Sequence, residues 1–200
     1  MRSQQNHNAL RLIKGLILIF ISVISLNISG VLWAGNLLNY GCPVTGTPFD
    51  AKLESIGFFN EPNVTAGSAG HTESVEKLFL IAKSFRYAHD SFNDRWQTVE
   101  ETASKRSGDC KDKAVWLYAQ LRRNGYHNTH LVIGKYRAKD SKLHAWVTCV
   151  DESGNAYLLD PAVQRAPKDL WGLSRTFYRP IYSFGSIDRM YSAYRFPLNF

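Results

Sequence analysis

Two hundred residues with 44% hydrophobic content allow one buried core plus a preceding segment and exclude a wholly disordered chain. The net charge of +7 overstates the basicity of the domain, because Arg2, Arg11 and Lys14 lie in an N-terminal stretch without acidic residues; removing these three from 24 leaves 21 basic against 17 acidic residues. No aromatic-interleaved basic stripe appears, so nucleic acid is not an expected partner.

Residues 1–14 are polar and basic, and residues 15–34 (GLILIFISVISLNISGVLWA) are almost wholly apolar. A positive flank before an apolar run is the pattern of an export signal, although about 20 such residues can also span a bilayer. Asn27, Ser29 and Gly30 interrupt the run and favour a signal core ending near Leu26, with cleavage after Ala34. An uncleaved anchor fits the same residues. Either way the charge asymmetry keeps the N-terminus cytoplasmic and sends the domain outward. Residues 1–34 are therefore read as a signal peptide or N-terminal membrane anchor, and the domain as periplasmic or membrane-anchored outside the cytoplasm. Residues 35–70, rich in Gly, Pro, Asn and Thr, read as a linker or loosely packed arm. Residues 71–200 form the domain.

The domain opens with a helix predicted within 71–90, capped by Thr72, with Val75, Leu78, Phe79, Ala82 and Phe85 on one face. A short helix over 98–105 leads to a turn at Ser107-Gly108. The strongest local signal follows in residues 107–125 (SGDCKDKAVWLYAQLRRNG). Asp109 is the N-cap and Asp112 adds an acidic group to the first turn, where the dipole favours it. Ala114, Leu117, Tyr118 and Leu121 make the apolar stripe, Arg122 and Arg123 end the helix, and Gly125 stops it. Residues 129–137 alternate as a strand, a turn follows, and residues 143–150 (LHAWVTCV) pair with residues 156–162 (AYLLDPA) as an antiparallel hairpin. Residues 161–172 read as a loop and 177–186 as an edge strand, where Pro180 is tolerated. Residues 189–200 either cap the sheet or line a substrate groove.

Three residue types then converge. Cys110 sits at a helix start, where the positive end favours a thiolate. His144 begins one strand and Asp160 ends the next, so hairpin pairing can bring imidazole and carboxylate together. A thiol, an imidazole and a carboxylate that orients it form the nucleophile–base–orienter arrangement. GDCKDKA, LHAWV and YLLDPA, in this order and spacing, resemble the Cys, His and Asp blocks of the transglutaminase-like superfamily, and the lead-in RWQTVEETASKRSGDC resembles that family's approach to its nucleophile. The bacterial transglutaminase-like cysteine proteinases are the branch suggested. The resemblance implies an α+β fold with a papain-like core, the nucleophile-bearing helix packed on an antiparallel sheet. It implies Cys110 as nucleophile, His144 as general base and acid, and Asp160 as orienter. The oxyanion would be met by the Cys110 backbone N–H and a donor from Trp96 or Gln97, both open as candidates.

Calcium-dependent members of that branch carry acidic residues on both sides of the nucleophile; here Asp109 matches one side and Lys111 occupies the other, which speaks against a metal. No cofactor is expected. Cys149 lies on the strand face opposite His144 and reads as a buried structural thiol, a disulfide with Cys42 being the alternative. His127 and His130 read as surface or structural. The expected function is an exported thiol enzyme acting on amide bonds of a protein or peptide substrate, a peptidase or amidase. The alternatives are a protein-crosslinking acyl transferase and a catalytically silent transglutaminase-like binding module.

Overall fold

Asp109 begins the helix on which the fold is assembled. In the computed structural model, which describes residues 42–43, 46–60, 73–89, 94–137, 139–170, 177–187 and 190–195, its carboxylate accepts the backbone N–H groups of Lys111 and Asp112. Asp112 returns the favour to the Asp109 N–H at 3.1 Å, a reciprocal capping box that satisfies orphan donors at the helix start. The helix runs Cys110–Arg123, and Gly125, at φ +88°, turns the chain away. The chain divides into two compact units, Met1–Asn39 and Tyr40–Phe200, and every described residue belongs to the second. The expected signal or anchor lies outside the described residues. No described helix is long and apolar enough to cross a membrane.

In chain order the elements are β1 (Cys42–Pro43), α1 (Asp50–Ser55), a 3-10 turn (Phe58–Asn60), α2 (Val75–Ser84), β2 (Arg86–Tyr87), α3 (Val99–Lys105), β3 (Ser107–Gly108), α4 (Cys110–Arg123), β4 (Asn128–Lys135), β5 (His144–Val150), β6 (Ala156–Leu159), β7 (Lys168–Asp169), β8 (Arg179–Ile187) and β9 (Met190–Arg195). Seven strands form an antiparallel sheet in the order β1-β9-β8-β4-β5-β6-β7, and β2 and β3 form a parallel pair. Alternation decides which strand residues meet the helices. Leu131, Ile133, Ala145, Val147, Cys149, Leu159 and Phe184 join the stripe of α4 in the main core. Val132, Trp146 and Leu158 point to the opposite face, where Leu170 and Tyr178 cover them. This is the expected α+β architecture, with the Cys110 helix packed on the antiparallel sheet.

Four local expectations need correction. Residues 46–60 do not behave as a loose arm: Leu53, Ile56 and Phe58 are buried in the core, and Phe49 packs on Trp96, Tyr182 and Phe184. The spacing of Phe49, Leu53 and Ile56 is helical, but a single short helix among Gly and Pro gives too few turns to register as a period. The helix placed within 71–90 begins at Val75 with Ser74 as its cap, whose hydroxyl accepts the Lys77 N–H at 3.2 Å; residues 71–72 lie outside the described set. Ser107 and Gly108 form a strand beside β2, and the turn before them is carried by Arg106 at φ +46°. Finally, β8 is an interior strand between β4 and β9, not an edge. Pro180 is tolerated there because the register shifts at Ile133/Gly134, a bulge that spares the ladder a missing donor.

Candidate active site

The capping box that starts α4 also selects which N–H stays open. Asp109 takes the Lys111 and Asp112 N–H groups through its side chain and the Lys113 N–H through its carbonyl at 3.1 Å. Among the described residues the Cys110 N–H has no partner, so the first turn presents one free donor beside the sulfur of the same residue. Cys110 is half-buried and carries a free thiol.

β5 and β6 bring the imidazole and carboxylate to this helix start. Val147 pairs with Leu159, so His144 at the first position of β5 and Asp160 just past β6 lie near one end of the hairpin. His144 Nε2 donates to Asp160 Oδ2 at 2.7 Å, and the imidazole shares the cleft with the Cys110 sulfur, which lies near enough to act on its charge. With Nε2 committed to the carboxylate, Nδ1 is the nitrogen left for sulfur. Burial pushes the imidazole pKa down, but the hydrogen bond to Asp160, the neighbouring Cys110 sulfur and the charges of both raise it to about 10. The ring sits between Trp146, stacked at 6.2 Å, and Tyr136 at 5.8 Å.

Asp160 is 0% exposed and saturated with donors. Its Oδ1 accepts from the Ala162 and Val163 N–H groups at 3.0 and 3.2 Å, and its Oδ2 accepts from the Tyr178 hydroxyl at 2.9 Å as well as from His144. Gln164 closes the set: its Oε1 accepts the Asp160 N–H at 3.2 Å and its Nε2 donates to Tyr178 at 3.3 Å. Burial, then the Asp160 charge, pushes the Tyr178 phenol strongly up, so it stays a donor.

Trp96 and Gln97 are separated by their partners. The Gln97 N–H and Nε2 donate to Asp112 at 3.0 and 3.1 Å, which ties this segment to the first turn of α4. The Trp96 indole N–H is buried without a partner, and Trp96 lines the same cleft as Cys110 and His144. That cleft holds about 1080 Å³, walled by Tyr87 and Trp96 on the lead-in side and by Tyr136 and Leu143 of the β4–β5 connection.

The model of the transglutaminase-like superfamily matches residues 61–161, just over half of the chain. The chain belongs to the transglutaminase-like superfamily. No curated protein sequence matches it. Among solved structures, EGTA-treated LapG of Legionella pneumophila is 14% identical, covering 84% of this chain and 83% of that one at a TM-score of 0.51. A second LapG structure is 15% identical over 84% and 86%, at 0.50, and a calcium-bound form is 16% identical over 78% and 84%, at 0.49. At these identities the likeness to LapG is one of fold.

Within this transglutaminase-like frame the flank of the nucleophile does not fit a divalent cation. The Lys111 ammonium is hydrogen-bonded to Asp109 and lies 3.8 Å from Asp94, so a side-chain cation already neutralises these carboxylates. Burial opposes its charge, but Asp109, with Asp112 and Asp94 adding to it, raises the Lys111 pKa. Among the described residues no group of three His, Cys, Asp or Glu side chains is placed to hold a metal. Cys149 is a free buried thiol pushed up to about 12 by burial, so it forms no bridge to Cys42. His130 is buried against Gly185, with burial, then Arg122, lowering its pKa to about 4; it is a neutral packing residue. Tyr178, Gln164 and Tyr136 were not legible as site residues. Tyr136 lies just past β4 in the connection to His144, but Tyr178 reaches Asp160 from a segment with no motif.

Proposed function

We propose that the chain is a cysteine-dependent hydrolase that opens amide bonds in peptides, with Cys110 as nucleophile, His144 as general base and then acid, and Asp160 as the group that orients the imidazole. The observation that carries this reading is the ring of His144, held by Asp160 at 2.7 Å in the cleft that it lines together with Cys110. As sulfur attacks the amide carbonyl, His144, whose folded pKa is about 10, keeps the thiol proton on its ring. It returns that proton to the nitrogen as the C–N bond breaks, leaving a thioester. Water, giving a proton to His144, then attacks the thioester, and the acid leaves as the thiol is restored. The carbonyl oxygen, negative in each tetrahedral intermediate, is met by the open Cys110 N–H and by the unpartnered indole N–H of Trp96; Gln97 stays committed to Asp112. The N-terminal basic and apolar pattern supports a site of action outside the cytoplasm.

The test incubates the full chain with a peptide pool from envelope proteins, with and without a fluorescent primary amine. New amino termini, absent with Cys110→Ala, are the expected result. Amine incorporation without cleavage would redirect the reading to acyl transfer. Neither product, together with iodoacetamide labelling of Cys110 no faster than that of Cys149, would leave a binding module.

A further inference from the structure

The strand pair that leads into the nucleophile has an unused edge. β2 runs parallel to β3 with Arg86 opposite Ser107 and Tyr87 opposite Gly108. The Arg86 N–H donates to the Arg106 carbonyl at 2.9 Å and the Ala88 N–H to the Gly108 carbonyl at 3.1 Å. Successive residues of a strand aim their main-chain groups to opposite sides, so the N–H and C=O of Tyr87, between those two donors, face away from β3. Among the described residues these two strands form a sheet of their own and nothing pairs with that side. Buried main-chain groups need partners, whereas Tyr87, 52% exposed, keeps its groups available. Tyr87 borders the cleft that holds Cys110 and His144. Its phenol is raised by burial and then by the charge of Cys110.

We propose that β2 accepts an extended peptide as a third strand, with Tyr87 giving and taking one main-chain hydrogen bond, so that a main-chain carbonyl is laid at Cys110. This rests on the thiol-hydrolase reading and narrows it: the substrate is a polypeptide attacked along its backbone, not at a side-chain amide or as a small amide. In strand addition the main chain supplies affinity and alternate side chains supply selectivity. Leu143 and Val163, exposed at 45% and 43%, both line the cleft and offer alternate side chains an apolar surface.

Two chloromethyl ketones that differ only in length, acetyl-alanyl and acetyl-tetra-alanyl, test the proposal on the full chain. Each forms a carbon–sulfur bond at Cys110 with loss of chloride, and intact mass reports the rate, normalised to iodoacetamide alkylation of the same protein. The longer probe should react about tenfold faster, the scale of one or two net hydrogen bonds. Tyr87→Pro removes the outward N–H without touching the β3 ladder and should bring the ratio near one, while Tyr87→Phe should keep it. A tetra-alanyl probe with one ester link in place of an amide should lose rate on the unaltered protein, so the answer survives if the proline variant fails to fold. Alkylation of Cys110 with no length dependence, or equal rates for the amide and ester probes, overturns the strand proposal alone. No selective alkylation of Cys110 by any probe overturns the thiol-hydrolase reading beneath it.

Discussion

Asp160 does more than face an imidazole. A buried carboxylate that accepts from His144, Tyr178, Ala162 and Val163 has no free direction in which to turn, so its rotamer fixes the ring and its tautomer. Asp160→Asn replaces one acceptor oxygen with a donor that opposes the His144 Nε2–H. The expected result is a fall of about 10²–10⁴-fold in kcat with the fold retained, read from steady-state kinetics and circular dichroism. Tyr178→Phe removes one hydroxyl donor to a charged, buried acceptor and should cost about 1–3 kcal/mol, read as a lower urea midpoint at constant slope. The pH dependence has a definite sign. His144 holds its proton more tightly when folded, about 10 against 6.5, so its pairing stabilises fully below pH 6.5 and is lost as pH rises through about 10. The stability gap between the protein and Asp160→Asn should therefore narrow between pH 6.5 and 10 in urea titrations. Cys110, His144 and Asp160 were legible because each sits in a short motif at an element end. Tyr178 was not, because the bond it makes to Asp160 spans 18 positions and leaves no local pattern.

At the scale of elements, legibility follows how local the cause is. The capping box of α4 is written in four consecutive residues, 109–112, and its stop in the single residue Gly125. The pairing of β2 with β3 joins segments about 20 residues apart, and neither strand has the length to announce itself. The interior position of β8 depends on β9 and β1 extending the sheet beyond it, which no property of residues 179–187 encodes. One residue of the β3 segment carries a constraint that the sequence disguises as a flexible turn. A Cβ on Gly108 would stand 2.6 Å from the Asp112 Cβ and 3.0 Å from its Oδ2. Asp112 cannot yield freely, because it holds the Asp109 N–H and both donors of Gln97. Gly108→Ala should therefore displace the first turn of α4, costing about 1–3 kcal/mol and lowering kcat at the same time. A melt and a rate measurement on the same preparation check it. Loss of stability with full turnover would mean that the lead-in segment and the helix start are not coupled.

At the scale of the whole domain, residues 46–60 are where composition and structure part company. Gly, Pro and Thr mark the segment as a linker, but four apolar side chains, Phe49, Leu53, Ile56 and Phe58, decide where it goes. Leu53 is fully buried, Phe58 stacks on Tyr118 of α4 at 4.5 Å, and Phe49 meets Trp96 at 6.1 Å. The segment therefore closes the core over the central helix and backs Trp96, which lines the cleft. Each contact has its own consequence. Leu53→Ala leaves a cavity in the main core and should cost about 2–5 kcal/mol, which for a domain of this size lowers Tm by roughly 4–20 °C. Because Leu53 does not line the cleft, kcat below the melting range should stay within about twofold. Phe49→Ala should lower Tm as well, but it also removes the ring behind Trp96, which loosens the donor that the proposed mechanism assigns to the oxyanion. An oxyanion donor is worth about 2.7–4 kcal/mol when removed outright, so a donor that is only loosened should cost a fraction of that, about tenfold in kcat. Melting curves and kcat for the two variants, measured side by side, separate packing from positioning. Equal kcat in both would show that Trp96 needs no support from this segment.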